Sequence, residues 1–176
     1  TIAETPMFDL PRETILADAR ASLDGGVTSL VLTSEDILRY GAEGERLRPE
    51  KLLDLVAELR RDGRLRIIQL DHVNVSSVLA TPLATLKRIK EAVTAGRDHR
   101  FLWVNLGVET ASAELLRRCG GAAKMRGLAP EWPAACREAV IRLEEAGFLP
   151  MVSLVLGLPG EEPGDVERTL AWAEEM

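Results

Sequence analysis

The chain has 176 residues, 46% of them apolar and 28% charged, the balance of an ordinary globular domain. Its net charge of −6, with Lys and Arg dispersed along helical patterns, argues against a nucleic-acid or anionic-membrane surface, and no run of about 18 apolar residues is present to span a bilayer. Two cysteines, Cys119 and Cys136, are too few for a disulfide framework and point to a reducing cytoplasm.

In chain order the first pattern is helical, with Ile15, Leu16, Ala19 and Leu23 on one face. Gly26 closes it, and an apolar run at 28–33 predicts a strand. A second helical face carries Leu52, Leu53, Val56 and Leu59, closed by Gly63 before a strand at 65–70. Leu83, Leu86, Ile89 and Val93 form the third stripe, and Gly96 precedes a strand at 101–106 that holds Trp103. Pro133 suits a first helical turn, Cys136, Ala139, Val140 and Leu143 follow on one face, and Gly147 leads into a strand at 151–156. A last helical pattern holds Trp172. Strand-to-strand spacings of about 36 to 50 residues suit repeated parallel βα units. The class is therefore α/β with a parallel sheet, and periodicity leaves barrel and open sheet equally open.

In both architectures chemistry gathers beyond the carboxyl ends of the strands. The four expected ends carry Ser34, Glu35 and Asp36; Asp71, His72 and Asn74; Gly107, Val108, Glu109 and Thr110; and Gly157, Leu158, Pro159, Gly160 and Glu161. Carboxylates on successive strand ends point to a ligand with positive charge and hydroxyls. Asp71–His72 is either an acid–base or metal pair or a structural one, and Asn74 either reaches a ligand or ends a strand. Glu109 has a plain reading too, as a carboxylate beside the next helix's N-terminus. Gly120 to Lys124 lacks the order of a phosphate loop.

The segments NLGVETASAELLRR and VSLVLGLPGEE, with VTSLVLTSEDILRYG upstream, resemble radical S-adenosylmethionine (SAM) enzymes. The resemblance spans essentially all of residues 1–176 as a single core domain, second to fifth strands. It implies a partial (β/α)6 TIM-like barrel with about four βα units present. It also implies SAM and a 4Fe–4S cluster as cofactors, with reductive cleavage to a 5′-deoxyadenosyl radical. On this basis Glu35, or Asp36 beside it, receives the SAM ammonium, with Ser34 adjoining. Glu109 accepts from the ribose hydroxyls, and Val155, Leu156 and Gly157 lie along the adenine. Asp71 and Asn74 complete the implied cofactor set. Thr33 and Ser34 stand where the family often has two glycines, and Glu162–Pro163 where it usually has Thr after the Gly-Leu-Pro-Gly-Glu turn. The connection at 119–132 is longer than usual, and either shapes a substrate opening or is a plain surface loop.

The family's Cys-x3-Cys-x2-Cys cluster loop does not occur in this sequence. Its first strand and cluster loop are expected upstream of Thr1, and Cys119 and Cys136 are expected to act as small apolar residues. The terminal helix pattern stops without a terminating signal, so the chain is expected to be a piece of a longer enzyme. The expected partners are a small-molecule or unknown substrate, an external electron donor and additional domains, with no nucleic acid and no membrane. Two other readings are a cluster-free binding or scaffold module on the same fold and an unrelated phosphate-using β/α barrel. The 176-residue piece alone is expected to show no radical activity.

Overall fold

The computed structural model describes residues 8–95, 101–125, 128 and 131–176. In chain order it contains α1 (Arg12–Asp24), β1 (Ser29–Thr33), a 3-10 turn (Ile37–Arg39), α2 (Pro49–Leu59), β2 (Ile67–Asp71), α3 (Val75–Ala80) and α4 (Leu83–Thr94). These are followed by β3 (Trp103–Glu109), α5 (Ala113–Arg118), α6 (Ala122–Met125), α7 (Trp132–Glu145), β4 (Leu149–Leu154) and α8 (Pro163–Glu174).

Each long helix forms where an apolar stripe recurs at helical spacing and a proline or capping group sets its start. Pro49 and Pro163 open α2 and α8, where the N–H that proline lacks would have no helical partner. Glu162 and Asp165 add a reciprocal capping box to α8. Leu52, Leu55, Val56 and Leu59 of α2 are buried, as are Leu86, Ile89 and Val93 of α4. Gly26 and Gly147 terminate α1 and α7 in the left-handed region, at φ 88° and 86°. Gly63 differs: it is not left-handed, and the turn there is closed by Arg64 N–H donating to Asp62 Oδ1 at 3.0 Å. Gly96 lies outside the described residues.

The strands fall near their expected places with shifted ends. β3 continues to Glu109 rather than stopping at Leu106, and β4 begins at Leu149 and takes in Pro150. Pro150 is tolerated because, among the described residues, β4 pairs only with β3, so its other edge needs no N–H there.

The expected partial (β/α)6 barrel is not what forms. The α/β class holds, but the four strands make two separate two-stranded parallel sheets, β1–β2 and β3–β4. Among the described residues, β2 and β3 are joined by a single parallel bridge, Val73 with Leu106, where Val73 N–H donates to Asn105 O at 2.8 Å. The physical reason is a side chain. Gln69 is buried at the seam, and its amide nitrogen donates to Leu70 O at 2.6 Å and to Trp103 O. Carbonyls that a continuous ladder would use are thus taken by a side-chain amide.

Burial alternates along β1, whereas β2 and β3 each hold three consecutive buried residues, Ile68 to Leu70 and Leu106 to Val108. Ile68, Leu70, Val104 and Leu106 face the helices and are fully buried. On the opposite face Val31, Ile67, Leu149 and Met151 are exposed at 57%, 39%, 49% and 53%. The pairings are parallel throughout, so all four strands bring their carboxyl ends to one side.

Candidate functional site

The carboxyl ends separate into two groups. At β1 and β2, Asp36 is 1% exposed, and its Oδ2 accepts from Ser77 Oγ at 2.5 Å and from Asn74 Nδ2 at 3.3 Å. Burial raises its pKa above the ordinary carboxylate value, outweighing the lowering bonds from Ser77 and Asn74 and the Arg39 charge. Asp36 Oδ1 is buried with no partner. Asp36 and Asn74 therefore tie two loops together inside the protein. Ser34 Oγ accepts from Asp36 N–H at 3.3 Å, while Glu35 is exposed. Thr33, Ser34 and Glu35 border a groove of about 630 Å³ between α1 and β1, whose other walls include Phe8, Leu10 and Tyr40. No residue of β3 or β4 lines it.

Asp71 and His72 end β2. Asn105 Nδ2, inside β3, donates to Asp71 Oδ1 at 2.7 Å, and His72 Nδ1 lies 3.6 Å from the same oxygen. His72 is left-handed, at φ 61°, with its carbonyl accepting from Ile37 N–H at 2.9 Å.

At β3 and β4 the geometry is different. Glu109 is also left-handed, at φ 65°, and Thr110 N–H donates to Val108 O at 2.8 Å, which makes Glu109 the centre of a three-residue γ-turn. With a positive central φ, that turn is the rare and strained hand. The β3–β4 register skips at Val108, so Gly107 and Glu109 lie on the same open side. The Glu109 carboxylate folds over Gly107 and pairs with the Lys124 ammonium, which also donates to Gly107 O at 3.2 Å. A Cβ at Gly107 would sit 2.5 Å from Lys124 Nζ and 2.8 Å from Glu109 Oε1, so any other residue here would displace one or both of these side-chain ends. Glu109 O accepts from Val155 N–H at 2.8 Å. Val155 and Leu156 are exposed at 39% and 68%, and Gly157 follows at φ 83°, its N–H donating to Glu161 Oε2 at 2.6 Å.

Glu109 is not the cap of the following helix: Ser112 Oγ caps α5 by accepting from Leu115 N–H at 3.2 Å. The structure thus brings together Glu109, Val155, Leu156 and Gly157, and separately Ser34, Asp36 and Asn74. Ser34 and Glu35 share no lining with the Glu109 group. Sequence reasoning missed Asn105, Lys124 and Gln69. Only Asn105 carried a signal, as a polar residue two positions before Gly107 and so on the same strand face.

No protein-family model matches the sequence. The chain is 26% identical over 168 residues to the ribosomal protein uS12 methylthiotransferase RimO of Citrifermentans bemidjiense, covering 94% of this chain and 33% of that protein. It is 30% identical over 159 residues to an uncharacterised protein of Methanopyrus kandleri, covering 89% of this chain and 28% of that protein. The chain therefore spans about a third or less of these relatives.

The described residues do not fit an iron–sulfur cluster. No three of their His, Cys, Asp or Glu side chains are grouped to hold a metal ion. Cys119 Sγ donates to Pro159 O at 3.2 Å, and Cys136 is buried in α7, where burial pushes its thiol up to about 12. The donor set does fit an adenosyl ligand: a carboxylate over a glycine cradle, beside exposed aliphatic side chains. No helix among the described residues is long and apolar enough to cross a membrane.

Proposed function

We propose that this chain is the adenosyl-binding portion of a longer radical SAM protein, with Glu109 accepting from the ribose hydroxyls and Val155, Leu156 and Gly157 along the adenine. One observation carries the reading: the Glu109 carboxylate and the exposed Val155–Leu156 aliphatics adjoin through the 2.8 Å bond from Val155 N–H to Glu109 O. A carboxylate accepts from a diol in charge-assisted bonds, and exposed aliphatic side chains beside it suit a purine face. Sequence relatedness to a methylthiotransferase supports the same reading.

Exposed Glu35, with Ser34, is the anchor for the ligand's ammonium, and Asp71, oriented by Asn105, borders the polar rim. Asp36 and Asn74 serve by fixing the loops that carry these groups. Bound SAM supplies, on reductive cleavage, a 5′-deoxyadenosyl radical. The chain's own residues bind and orient. Cluster, electron donor and substrate selection belong to other parts of the longer protein, which is expected to be cytoplasmic.

A second reading, a cluster-free binding module, is favoured by the engagement of both cysteines, Cys119 with Pro159 O and Cys136 inside the core. Anaerobic iron–sulfur reconstitution of the full-length protein separates the two. Formation of 5′-deoxyadenosine, reduced about tenfold or more by Glu109→Ala and by Glu35→Ala, supports the radical SAM reading. A well-folded protein that takes up no cluster and forms no 5′-deoxyadenosine supports the module.

A further inference from the structure

The Glu109 γ-turn is strained, so something must hold it. Besides the turn's own bond, three hydrogen bonds converge on Thr110, the residue that follows, and all come from buried groups. Thr169 of α8 has one hydroxyl proton, which goes to Asp165 O at 2.9 Å. Its oxygen must therefore accept from Thr110 Oγ1 at 3.0 Å and from Ala111 N–H at 3.1 Å. Thr110 Oγ1 in turn accepts from Ser112 N–H at 3.0 Å. On the other side of the peptide, Trp132 Nε1–H donates to Thr110 O at 2.8 Å. Thr110, Thr169 and Trp132 are 1%, 3% and 0% exposed. Each hydroxyl, indole and amide proton in this cluster has an acceptor once the proton directions are assigned. That is what a backbone held in a sparsely populated conformation requires.

We propose that Thr169 and Trp132 are positioning residues for the Glu109 carboxylate, acting through Thr110. They come from α8 and from the start of α7, and they grip Thr110 from its side chain and from its carbonyl. Rotation of the Thr110 peptide would open the γ-turn and swing Glu109 away from Gly107 and Val155. This inference rests on the proposed ribose role of Glu109 and extends it to residues that touch no ligand. It also gives α8 a function beyond packing: its Thr169 reaches the site while Trp172 anchors the same helix by donating to Pro133 O at 3.0 Å.

The test is calorimetric binding of S-adenosylhomocysteine to the full-length protein carrying Thr169→Val, Thr169→Ser, Trp132→Phe, Glu109→Gln or Glu109→Gln with Thr169→Val. Valine keeps the shape and removes the hydroxyl, and phenylalanine keeps a ring and removes the indole N–H. Thr169→Val and Trp132→Phe are each expected to weaken binding about tenfold, the worth of one well-placed hydrogen bond. Thr169→Ser is expected to bind within about threefold of wild type. The double variant is expected to bind no more weakly than Glu109→Gln, because both changes act on one group. Trp132→Phe carries the test should Thr169→Val fail to fold. Additive losses in the double variant, or wild-type affinity in both Thr169→Val and Trp132→Phe while Glu109→Gln is impaired, would overturn the positioning role and leave the Glu109 reading intact. Unchanged affinity in Glu109→Gln, or no binding by the wild type, would overturn the Glu109 reading and the positioning role with it.

Discussion

The β1–β2 and β3–β4 halves offer the same raw materials at their strand ends: acidic residues, and one non-glycine residue with a positive φ. In the first half most of these resources hold loops together, while Glu35 stays exposed. Asp36 is buried against Ser77, Asp71 is engaged by Asn105, and left-handed His72 uses its carbonyl to hold the 3-10 turn. In the second half the carboxylate is half-buried and paired with Lys124. Left-handed Glu109 presents its carboxylate over Gly107, beside the exposed Val155 and Leu156. The carboxylates at these strand ends thus differ by their partners: Ser77 and Asn74 hold Asp36 inside, and Lys124 holds Glu109 over Gly107.

The largest expected effect tests whether the second half is held by its interior. Trp132 is fully buried and bonded to Thr110 O. Trp132→Ala should cost about 3–5 kcal/mol in urea unfolding, combining a cavity with an orphaned carbonyl. A loss under about 1 kcal/mol would mean that the turn stands without the indole. Next comes the cradle. In Gly107→Ala, the added Cβ displaces Lys124 or Glu109, and binding of S-adenosylhomocysteine should weaken by about 1–2 kcal/mol with the thermal midpoint nearly unchanged. Equal affinity in the variant would separate Glu109 from the ligand.

The two halves also differ in how far the sequence discloses them. Helices and strands were legible because burial leaves periodic traces: the stripe at Leu86, Ile89 and Val93 is buried as its spacing demands. The break between the sheets was not legible. Gln69 sits inside an apolar run, and its effect depends on the Trp103 carbonyl, 34 positions away, lying beside it. Likewise, Ser-Glu-Asp does not say which acid is buried, since the Ser77 that decides it is 41 positions on. Glu109 was singled out through its segment, and its ribose role is a proposal. Thr169 lies 59 positions beyond Thr110 in the last helical pattern, and nothing in that pattern ties it to Glu109. What escaped is the set of contacts made when distant segments close on each other.

A pH experiment sharpens the contrast from the inward-facing side. Burial raises the folded pKa of Asp36 above 3.8, its ordinary value. Below that value both folded and unfolded chains carry the proton, and stability from this group is complete. As pH rises past 3.8 the unfolded chain releases its proton first, so stability falls until the raised folded value is passed. Asp36→Asn should remove that decline, giving a flatter unfolding free energy from about pH 4 upward than wild type. Parallel curves for the two proteins would mean that Asp36 is ionised in the folded protein without cost.

The smallest expected effect compares the two left-handed residues directly. His72 and Glu109 have nearly equal φ, 61° and 65°, so glycine relieves similar strain at each. At His72 the bond that fixes the conformation is made by the backbone carbonyl, which glycine keeps. His72→Gly should therefore raise stability by about 0.5–1 kcal/mol. At Glu109 the same change also removes the carboxylate that pairs with Lys124, a half-buried ion pair worth about 1 kcal/mol or less. The strain relief and the lost pair should nearly cancel in Glu109→Gly, leaving its unfolding midpoint close to wild type. A gain at Glu109 equal to the gain at His72 would show that the Lys124 pair adds nothing to folding. Its place over Gly107 would then be a matter of the site alone.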